Sequence, residues 1–197
     1  MKEFWNEKYA ATEYIYGEAP NEFFKEKLAT LKPGKLLCPA EGEGRNAVYA
    51  ATQGWQVTAF DISEEGRNKA LRLADKKGVK IEYIIASFGT YELTEATFDA
   101  IVLTFTHLPA EDRRARFQKI IKALKPGGTL ILQGFSKAQF GKTTGGPKDL
   151  AMLWSREELE GDFAGMQHLV IEEKDIILNE GPFHHGTASV IQLTAQR

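Results

Sequence analysis

The sequence predicts an α/β fold: a doubly wound, largely parallel sheet of about seven strands with helices on both faces. Short apolar runs alternate along the chain with amphipathic, helix-like stretches, which is the pattern of strand–helix–strand units. The last two apolar runs are joined only by the loop GPFHHGT, which is too short for a parallel crossover. We therefore expect the sheet to end in an antiparallel hairpin, with the last strand reversed.

The predicted strands are short and apolar, as expected of strands that are covered on both faces. They are Lys35–Ala40, Gln56–Ile62, Lys80–Ser87, Phe98–Phe105 and Gly128–Phe135, followed by the C-terminal runs VIEEKDIILNE and ASVIQLTAQ. Between the third and fourth strands, Phe88–Thr97 leaves little chain for a crossover helix and its loops. We expect a helix there to be short or missing.

Helical periodicity and end signals predict the helices that connect these strands. They are Arg45–Gln53, Ser63–Lys77, Pro109–Lys125 and a helix near Ser155–Phe163. Ser63 is a typical N-cap residue. Pro109 suits the first helical position, because proline lacks the backbone N–H that this position leaves unpaired.

Length, charge and cysteine content favour a single soluble domain, residues 1–197. The formal net charge is -2 and there is no basic run, which argues against nucleic acid as a partner. No apolar run reaches the roughly 20 residues that span a membrane, and the N-terminus lacks a signal-peptide core. Cys38 is the only cysteine, so no intrachain disulfide forms and a reducing compartment fits. We expect a cytoplasmic protein.

The histidines and the cysteine give no metal signal. They are scattered without the spacing of zinc ligands, and the adjacent His184 and His185 point in different directions. We therefore expect no metal site.

A glycine-containing loop, Ala40–Arg45, follows the first predicted strand and opens the next helix. Glycines permit positive φ and let a ligand approach the backbone, and the carboxyl ends of the strands form the usual ligand crevice of doubly wound sheets. Gly42, Gly44 and Ala47 match a loose G-x-G-x-x-A dinucleotide pattern, which a tight strand-to-helix turn would also produce. The loop is therefore a candidate cofactor site.

The charges of this loop favour S-adenosylmethionine over a dinucleotide. A pyrophosphate on a helix N-terminus requires positive surroundings, whereas Glu41 and Glu43 place two carboxylates there. S-adenosylmethionine has no phosphate, and its ammonium and sulfonium outweigh its one carboxylate, so nearby acids suit it. Arg45 would bind that carboxylate or neutralise a glutamate. Asp61, at the end of the second strand, is placed to accept both ribose hydroxyls.

Two other functions stay open on these residues. Asp61 would equally hold the ribose of a nicotinamide cofactor, but the chain has no Tyr-x-x-x-Lys pair and no second domain for hydride-transfer residues. Methyl transfer is an in-line displacement at a carbon already activated by the sulfonium, so positioning supplies most of the acceleration. Because this reaction leaves so little catalytic signature, a non-catalytic S-adenosylmethionine-binding domain is the second alternative.

Several segments, in order, resemble the motifs of class I S-adenosylmethionine-dependent methyltransferases over nearly the whole chain. LLCPAEGEGRNAVYAA resembles the first motif, VTAFDIS the second, FDAIVLTFTHLP the fourth, and LKPGGTLILQGF the strand and glycine turn that follow it. WNEKYAATEYIYGEAPNEFF, GGPKD and EGPFHHGTASVIQLTA resemble the bacterial branch near tellurite-resistance and thiopurine methyltransferases. The resemblance implies a Rossmann-like methyltransferase fold, S-adenosyl-L-methionine as cofactor, and a small-molecule acceptor such as a soft thiol or chalcogen nucleophile.

The resemblance also implies which residues contact the cofactor. Gly42 and Gly44 would lie under the methionyl part beside Glu41, and Asp61 would hold the ribose. The other implied contacts lie around the adenine, beneath the methyl group, and in a lid within residues 1–20. They are, in that order, Ile62, Ser87 and Phe88; Thr104 and Phe105; and Trp5, Tyr9, Tyr14 and Tyr16.

Three positions depart from the family pattern. Cys38 replaces the usual acid at the end of the first strand, and Ala40 replaces the first glycine of the motif. These two changes affect the methionine end of the cofactor. Ser87 replaces the acid that commonly follows the third strand, which removes a carboxylate from adenine recognition.

His107 directly follows the fourth strand, in THLP, close to where an acceptor would lie. A histidine there is a candidate general base near neutral pH. The alternative is a loop histidine whose ring is held by hydrogen bonds.

Overall fold

The computed structural model describes residues 1–197, which form one seven-stranded sheet in the order β3-β2-β1-β4-β5-β7-β6. Each strand overlaps one of the predicted apolar segments, with bounds that differ by one to four residues at one or both ends. They are β1 Lys35–Pro39, β2 Gln56–Asp61, β3 Glu82–Ile85, β4 Phe98–Thr104, β5 Leu124–Phe135, β6 Gln167–Asn179 and β7 His185–Gln196.

The strand directions are those of the predicted fold. β1 pairs in parallel with β2 and β4, and the parallel arrangement continues from β2 to β3 and from β4 to β5. β7 is antiparallel to both β5 and β6. The doubly wound sheet with a reversed last strand is therefore confirmed. After β3 the chain returns to place β4 beside β1, so the topological switch point, where such sheets bind ligands, lies between β1 and β4.

Six α-helices accompany the sheet, and none of them is long and apolar enough to cross a membrane. They are α1 Lys2–Tyr9, α2 Glu22–Leu28, α3 Arg45–Thr52, α4 Glu64–Lys77, α5 Ala110–Ala123 and α6 Arg156–Asp162. The segment between β3 and β4 contains no helix, as predicted from its length.

The helix ends follow the predicted chemistry with one difference. Ser63 caps α4, because its hydroxyl accepts a hydrogen bond from the Gly66 N–H. Pro109 lies one position earlier than predicted. Its backbone is extended (φ -52°, ψ 140°), so proline is the N-cap and the first helical residue is Ala110.

The core has one layer on each face of the sheet, because neighbouring strand residues point to opposite sides. Leu37, Ile101 and Leu103 belong to the layer beneath α5 and α6, where Phe117 and Ile120 are fully buried. The residues between them along the strands pack beneath α2, α3 and α4; they include Leu36, Cys38, Ala100 and Val102. Burying each large side chain contributes roughly 1.5–3 kcal/mol, so both layers hold the strand ends of the crevice in place.

Candidate functional site

The crevice at the switch point is marked by two strained residues. Ala40 follows β1 with φ 50°, and Phe105 follows β4 with φ 52°. Only four non-glycine residues in the chain have positive φ, and these two end adjacent strands. Such conformations cost about 1–3 kcal/mol each and cluster at functional sites. They turn the chain sharply outward on both sides of the crevice.

The loop after β1 is built around two glycines that accept no side chain. Gly42 (φ 60°) lies under Tyr9, whose hydroxyl oxygen would be 2.6 Å from a Cβ at that position. Gly44 (φ 88°) is the N-cap of α3, and its Cβ would lie 2.4 Å from the Cβ of Ala70 on α4. The first glycine therefore allows the N-terminal segment to close on the loop, and the second allows two helices to approach.

The two glutamates of the loop have different roles. Glu43 is buried and its carboxylate lies 2.6 Å from the Lys69 ammonium. The same carboxylate accepts hydrogen bonds from the backbone N–H groups of Ile15 and Tyr16, each at 3.2 Å. Glu43 is thus neutralised within the protein, and it ties residues 15 and 16 to the loop.

Glu41 and Asp61 form no ion pair within the protein. Glu41 accepts hydrogen bonds from the N–H groups of Asn46 and Ala47, and burial raises its pKa to about 7. Asp61 accepts from the Gly42 N–H at 3.1 Å with one oxygen, and burial raises its pKa too. Two desolvated carboxylates without an ion-pair partner make the crevice a site that stabilises a bound cation.

Arg45 is held by hydrogen bonds to residues far away in the sequence. Its guanidinium donates to the Tyr16 carbonyl at 3.1 Å and to Glu180 at 2.8 Å. Glu180, in the β6–β7 loop, also accepts from the Asn21 amide and contacts Nδ1 of His184. Burial alone would raise the pKa of Glu180, but the hydrogen bond from His184 and the charge of Arg45 lower it to about 2.

The predicted lid residues lie together over the loop. Helix α1 packs on the start of α4, where Asn6 accepts hydrogen bonds from the Ser63 hydroxyl at 2.7 Å and the Glu64 N–H at 3.0 Å. On the inner side Tyr9 is buried and stacks on Trp5, with ring centroids 5.3 Å apart. Tyr16 meets Tyr9 edge-on at 6.5 Å. The predicted lid member Tyr14 lies to one side, where its hydroxyl donates to the Lys69 carbonyl.

The predicted floor lies at the end of β4. The ring of Phe105 is 4.6 Å from that of Phe135 and 4.5 Å from that of His184. The hydroxyl oxygen of Thr104 is buried and has no hydrogen-bond partner in the protein. An unpaired buried hydroxyl of this kind is available to a ligand.

The three residues predicted to contact the adenine differ in their surroundings. Ile62 is half-buried at the end of β2. The Ser87 hydroxyl accepts a hydrogen bond from the Gly89 N–H and lies 3.2 Å from the Thr90 hydroxyl. Phe88 belongs to the core, where its ring meets Phe60 edge-on at 5.3 Å. Phe88 is thus a core residue, whereas Ile62 and Ser87 are partly accessible.

Both ring nitrogens of His107 are bound to the backbone. Nδ1 lies 2.8 Å from the Met152 carbonyl, and Nε2 accepts the Phe135 N–H at 3.0 Å. Burial lowers the pKa of His107 to about 4, so the ring is neutral at physiological pH. With its accepting nitrogen already occupied, His107 has the geometry of the hydrogen-bonded loop histidine rather than of a general base.

The sequence gives His184 no role beyond its adjacency to His185, and the two adjacent histidines do not make a metal site. The structure buries its ring among Tyr16, Phe105 and Phe135, while the neighbouring His185 is exposed. Nδ1 faces Glu180, and Nε2 makes no hydrogen bond to the protein. The run EGPFHHGT contained this residue, but nothing local in it distinguished a buried histidine from an exposed one.

The fold and these contacts define a doubly wound domain whose crevice suits a ligand that carries both a cation and a ribose. S-adenosylmethionine fits the residues present. Glu41 and Asp61 lack cationic partners, the Thr104 hydroxyl is unpaired, and no side chain projects from Gly42. A dinucleotide would instead place its phosphates beside two buried carboxylates.

Comparison with known proteins finds similarity to methyltransferases. Residues 37–128 match the family described as methyltransferase domain. Phosphoethanolamine N-methyltransferase 1 of Triticum aestivum is 30% identical over 116 residues, covering 58% of this chain and 23% of that protein. The chain therefore spans less than a quarter of the length of this curated relative.

Two solved structures share the fold. TehB from Haemophilus influenzae has a TM-score of 0.76 and 18% identity, covering 100% of this chain and 66% of TehB. Phosphoethanolamine N-methyltransferase 2 of Haemonchus contortus, in complex with S-adenosyl-L-methionine, has a TM-score of 0.73 and 19% identity, covering 98% and 56%. The two structures show that the chain has the fold of these methyltransferases, and the match of residues 37–128 to a methyltransferase domain supports the predicted class I methyltransferase.

Proposed function

We propose that this chain transfers the methyl group of S-adenosylmethionine to a small-molecule acceptor with a soft nucleophile, a thiol or a chalcogen. The observation that carries the proposal is the pairing of an anionic crevice with an aromatic cover. Glu41 and Asp61, which form no ion pair, flank Gly42, and the ring of Tyr9, stacked on Trp5, lies over that glycine. Carboxylates and aromatic faces both stabilise a sulfonium ion.

When bound, the cofactor supplies a methyl group already activated by its sulfonium. The chain's own residues orient the two reactants and exclude water, which is most of what an in-line displacement requires. Asp61 would accept the ribose hydroxyls, and Ile62 and Ser87 would border the adenine. Trp5, Tyr9 and Tyr16 would cover the methionyl part, and Arg45 fixes this cover by donating to the Tyr16 carbonyl.

The side chains at the floor of the crevice, at the end of β4, support a soft nucleophile as the acceptor. Phe105 and Phe135 present apolar rings, and the ring of His107 is already hydrogen-bonded at both nitrogens. A chalcogen oxyanion needs no base there. A thiol has to lose its proton, and His184, with Nε2 free and Nδ1 oriented by Glu180, is the better placed acceptor of that proton.

The cofactor part of the proposal is tested by isothermal titration with S-adenosylmethionine, S-adenosylhomocysteine and NAD, with Asp61→Ala alongside. We expect micromolar binding of the first two ligands and its loss in the variant. Binding of NAD alone would overturn the proposed function while leaving the fold unchanged.

The acceptor part is tested by S-adenosylhomocysteine production with a small thiol, selenite, tellurite and phosphoethanolamine. We expect turnover with the thiol or the chalcogens. Turnover with phosphoethanolamine alone would replace the soft nucleophile with an amine. Tight cofactor binding without product from any acceptor would favour a non-catalytic binding domain.

A further inference from the structure

The ammonium group of Lys8 is surrounded by four aromatic rings. Its Nζ lies 5.0 Å from the ring centroid of Phe183, 5.1 Å from Trp5, 5.5 Å from Phe4 and 5.7 Å from Tyr16. All four distances are within the range of a cation–π interaction. The rings come from α1, from the segment that follows it and from the β6–β7 loop, so sequence proximity does not explain their convergence.

Lys8 has no anionic partner that would explain its position. It forms no ion pair and no side-chain hydrogen bond, whereas Lys2 on the same helix pairs with Glu64 at 2.6 Å. Half-burial against the rings lowers the pKa of Lys8. The rings at the outer edge, Phe4 and Phe183, are 57% and 48% exposed, so this cluster opens to solvent.

Several aromatic rings around one ammonium form the arrangement by which proteins recognise organic ammonium ligands. We propose that Phe4, Trp5, Tyr16 and Phe183 form a binding site for the ammonium group of an organic ligand, with Lys8 as an internal occupant that the ligand displaces. A primary or quaternary ammonium would find the same ring faces that Lys8 now uses. Displacement would move the Lys8 side chain into solvent and break its cation–π contacts, so Lys8 competes with the ligand for the rings.

The site is connected to the proposed reaction centre through two ring contacts. Tyr16 lies 4.5 Å from His184, which in turn lies 4.5 Å from Phe105 on the floor. Resting on the proposed function, the inference favours the thiol over the chalcogen oxyanion and adds that the thiol acceptor carries an ammonium group several bonds away from its sulfur. The binding test below needs neither the cofactor nor turnover, so its result is independent of whether methyl transfer occurs.

Tetramethylammonium chloride is the probe, titrated by calorimetry at constant ionic strength into the wild type, Lys8→Met and Lys2→Met. Removing the internal occupant is expected to strengthen binding at least tenfold in Lys8→Met. Lys2→Met changes the charge of the same helix without touching the cage, and it is expected to bind as the wild type does. Adding Phe183→Ala to Lys8→Met is expected to abolish the gain.

Circular dichroism and the melting temperature establish that each variant is folded before titration. Equal affinity in Lys8→Met and Lys2→Met would overturn the inference, since the loss of positive charge alone would then explain any change. Absence of binding in folded Lys8→Met would overturn it as well. A gain that survives Phe183→Ala would place the ligand elsewhere and have the same effect.

Discussion

The ammonium of Lys69 lies 2.6 Å from the carboxylate of Glu43, and both side chains are almost completely buried. Glu43 stands between the two glycines of the cofactor loop, and Lys69 projects from the middle of α4. Lys69 also donates to the Glu13 carbonyl, while Glu43 receives the N–H groups of Ile15 and Tyr16. One ion pair therefore joins the loop, a helix and the C-terminal part of the lid segment.

Lys69→Met should lower the free energy of unfolding by about 3–5 kcal/mol, because it leaves the Glu43 carboxylate buried without a partner. Urea unfolding followed by circular dichroism measures this. Lys2→Met is the matched control, since it breaks an exposed pair with Glu64 that is worth under about 1 kcal/mol. Similar losses of unfolding free energy in the two variants would show that the buried ion pair contributes no more to stability than the exposed one.

Glu41 should make stability depend on pH. Its pKa is raised to about 7 in the folded protein, so the folded state binds the proton more tightly than the unfolded chain does. The stabilising contribution of the protonated form is complete below the unfolded pKa and disappears as pH rises through about 7. The free energy of unfolding of the wild type should therefore fall between pH 5 and pH 7 relative to that of Glu41→Gln.

The same variant tests the cofactor site. Binding of a cation favours the ionised form of Glu41, so S-adenosylmethionine affinity should rise from pH 6 to pH 8 more steeply in the wild type than in Glu41→Gln. Calorimetry at the two pH values gives the comparison, and the variant corrects for the titration of the ligand itself. Parallel profiles would separate Glu41 from cofactor binding.

His107→Ala should affect stability more than chemistry. The variant leaves the Met152 carbonyl and the Phe135 N–H without their partner, which costs roughly 1–3 kcal/mol for each buried group left unsatisfied. Turnover per folded molecule should change by less than about threefold, whereas loss of a general base would lower it by roughly 10² or more. A kcat that falls a hundredfold in folded protein would restore His107 as the base.

Deleting residues 1–9 should weaken cofactor binding by about tenfold or more while the sheet remains folded. The deletion removes Tyr9 from above Gly42, together with Trp5 that stacks on it, but it retains Ile15 and Tyr16, which are anchored to Glu43. Calorimetry reports the affinity and circular dichroism the fold. Asn6→Ala is the companion variant, because it keeps both rings and removes only the hydrogen bonds that dock α1 on α4.

For Asn6→Ala we expect a smaller loss of affinity than for the deletion, and a loss of about 1 kcal/mol in the free energy of unfolding, the usual net value of a hydrogen bond. Unchanged affinity in the deletion variant would show that residues 1–9 do not contribute to cofactor binding. The contacts of residues 15 and 16 with the loop would then be structural only.

The sheet was predictable because its signals are local. Each strand is a short apolar run, and the serine at position 63 indicates the start of α4, because its side chain is a typical N-cap. The antiparallel end followed from one short loop. Pro109 was placed one residue too far into its helix, because an N-cap and a first helical residue differ only in backbone angles that the sequence does not display.

The partners of the site residues were not predictable in the same way. Glu43 is neutralised by a lysine 26 positions away, and Arg45 by a glutamate 135 positions away. Without the fold, Glu41 and Glu43 look like equivalent acids, and Arg45 looks free to bind a carboxylate. His184 and His185 are adjacent in sequence and differ only in which side of the hairpin they face.

The bond between Arg45 and Glu180 has a consequence for recombination between related genes. The segment that matches the methyltransferase domain family, residues 37–128, contains Arg45 but neither Glu180 nor β6, the strand that precedes it. A chimera that exchanges this segment alone would combine the Arg45 guanidinium of one parent with the β6–β7 loop of the other. Where the parents differ at either position, the chimera would lose this buried ion pair.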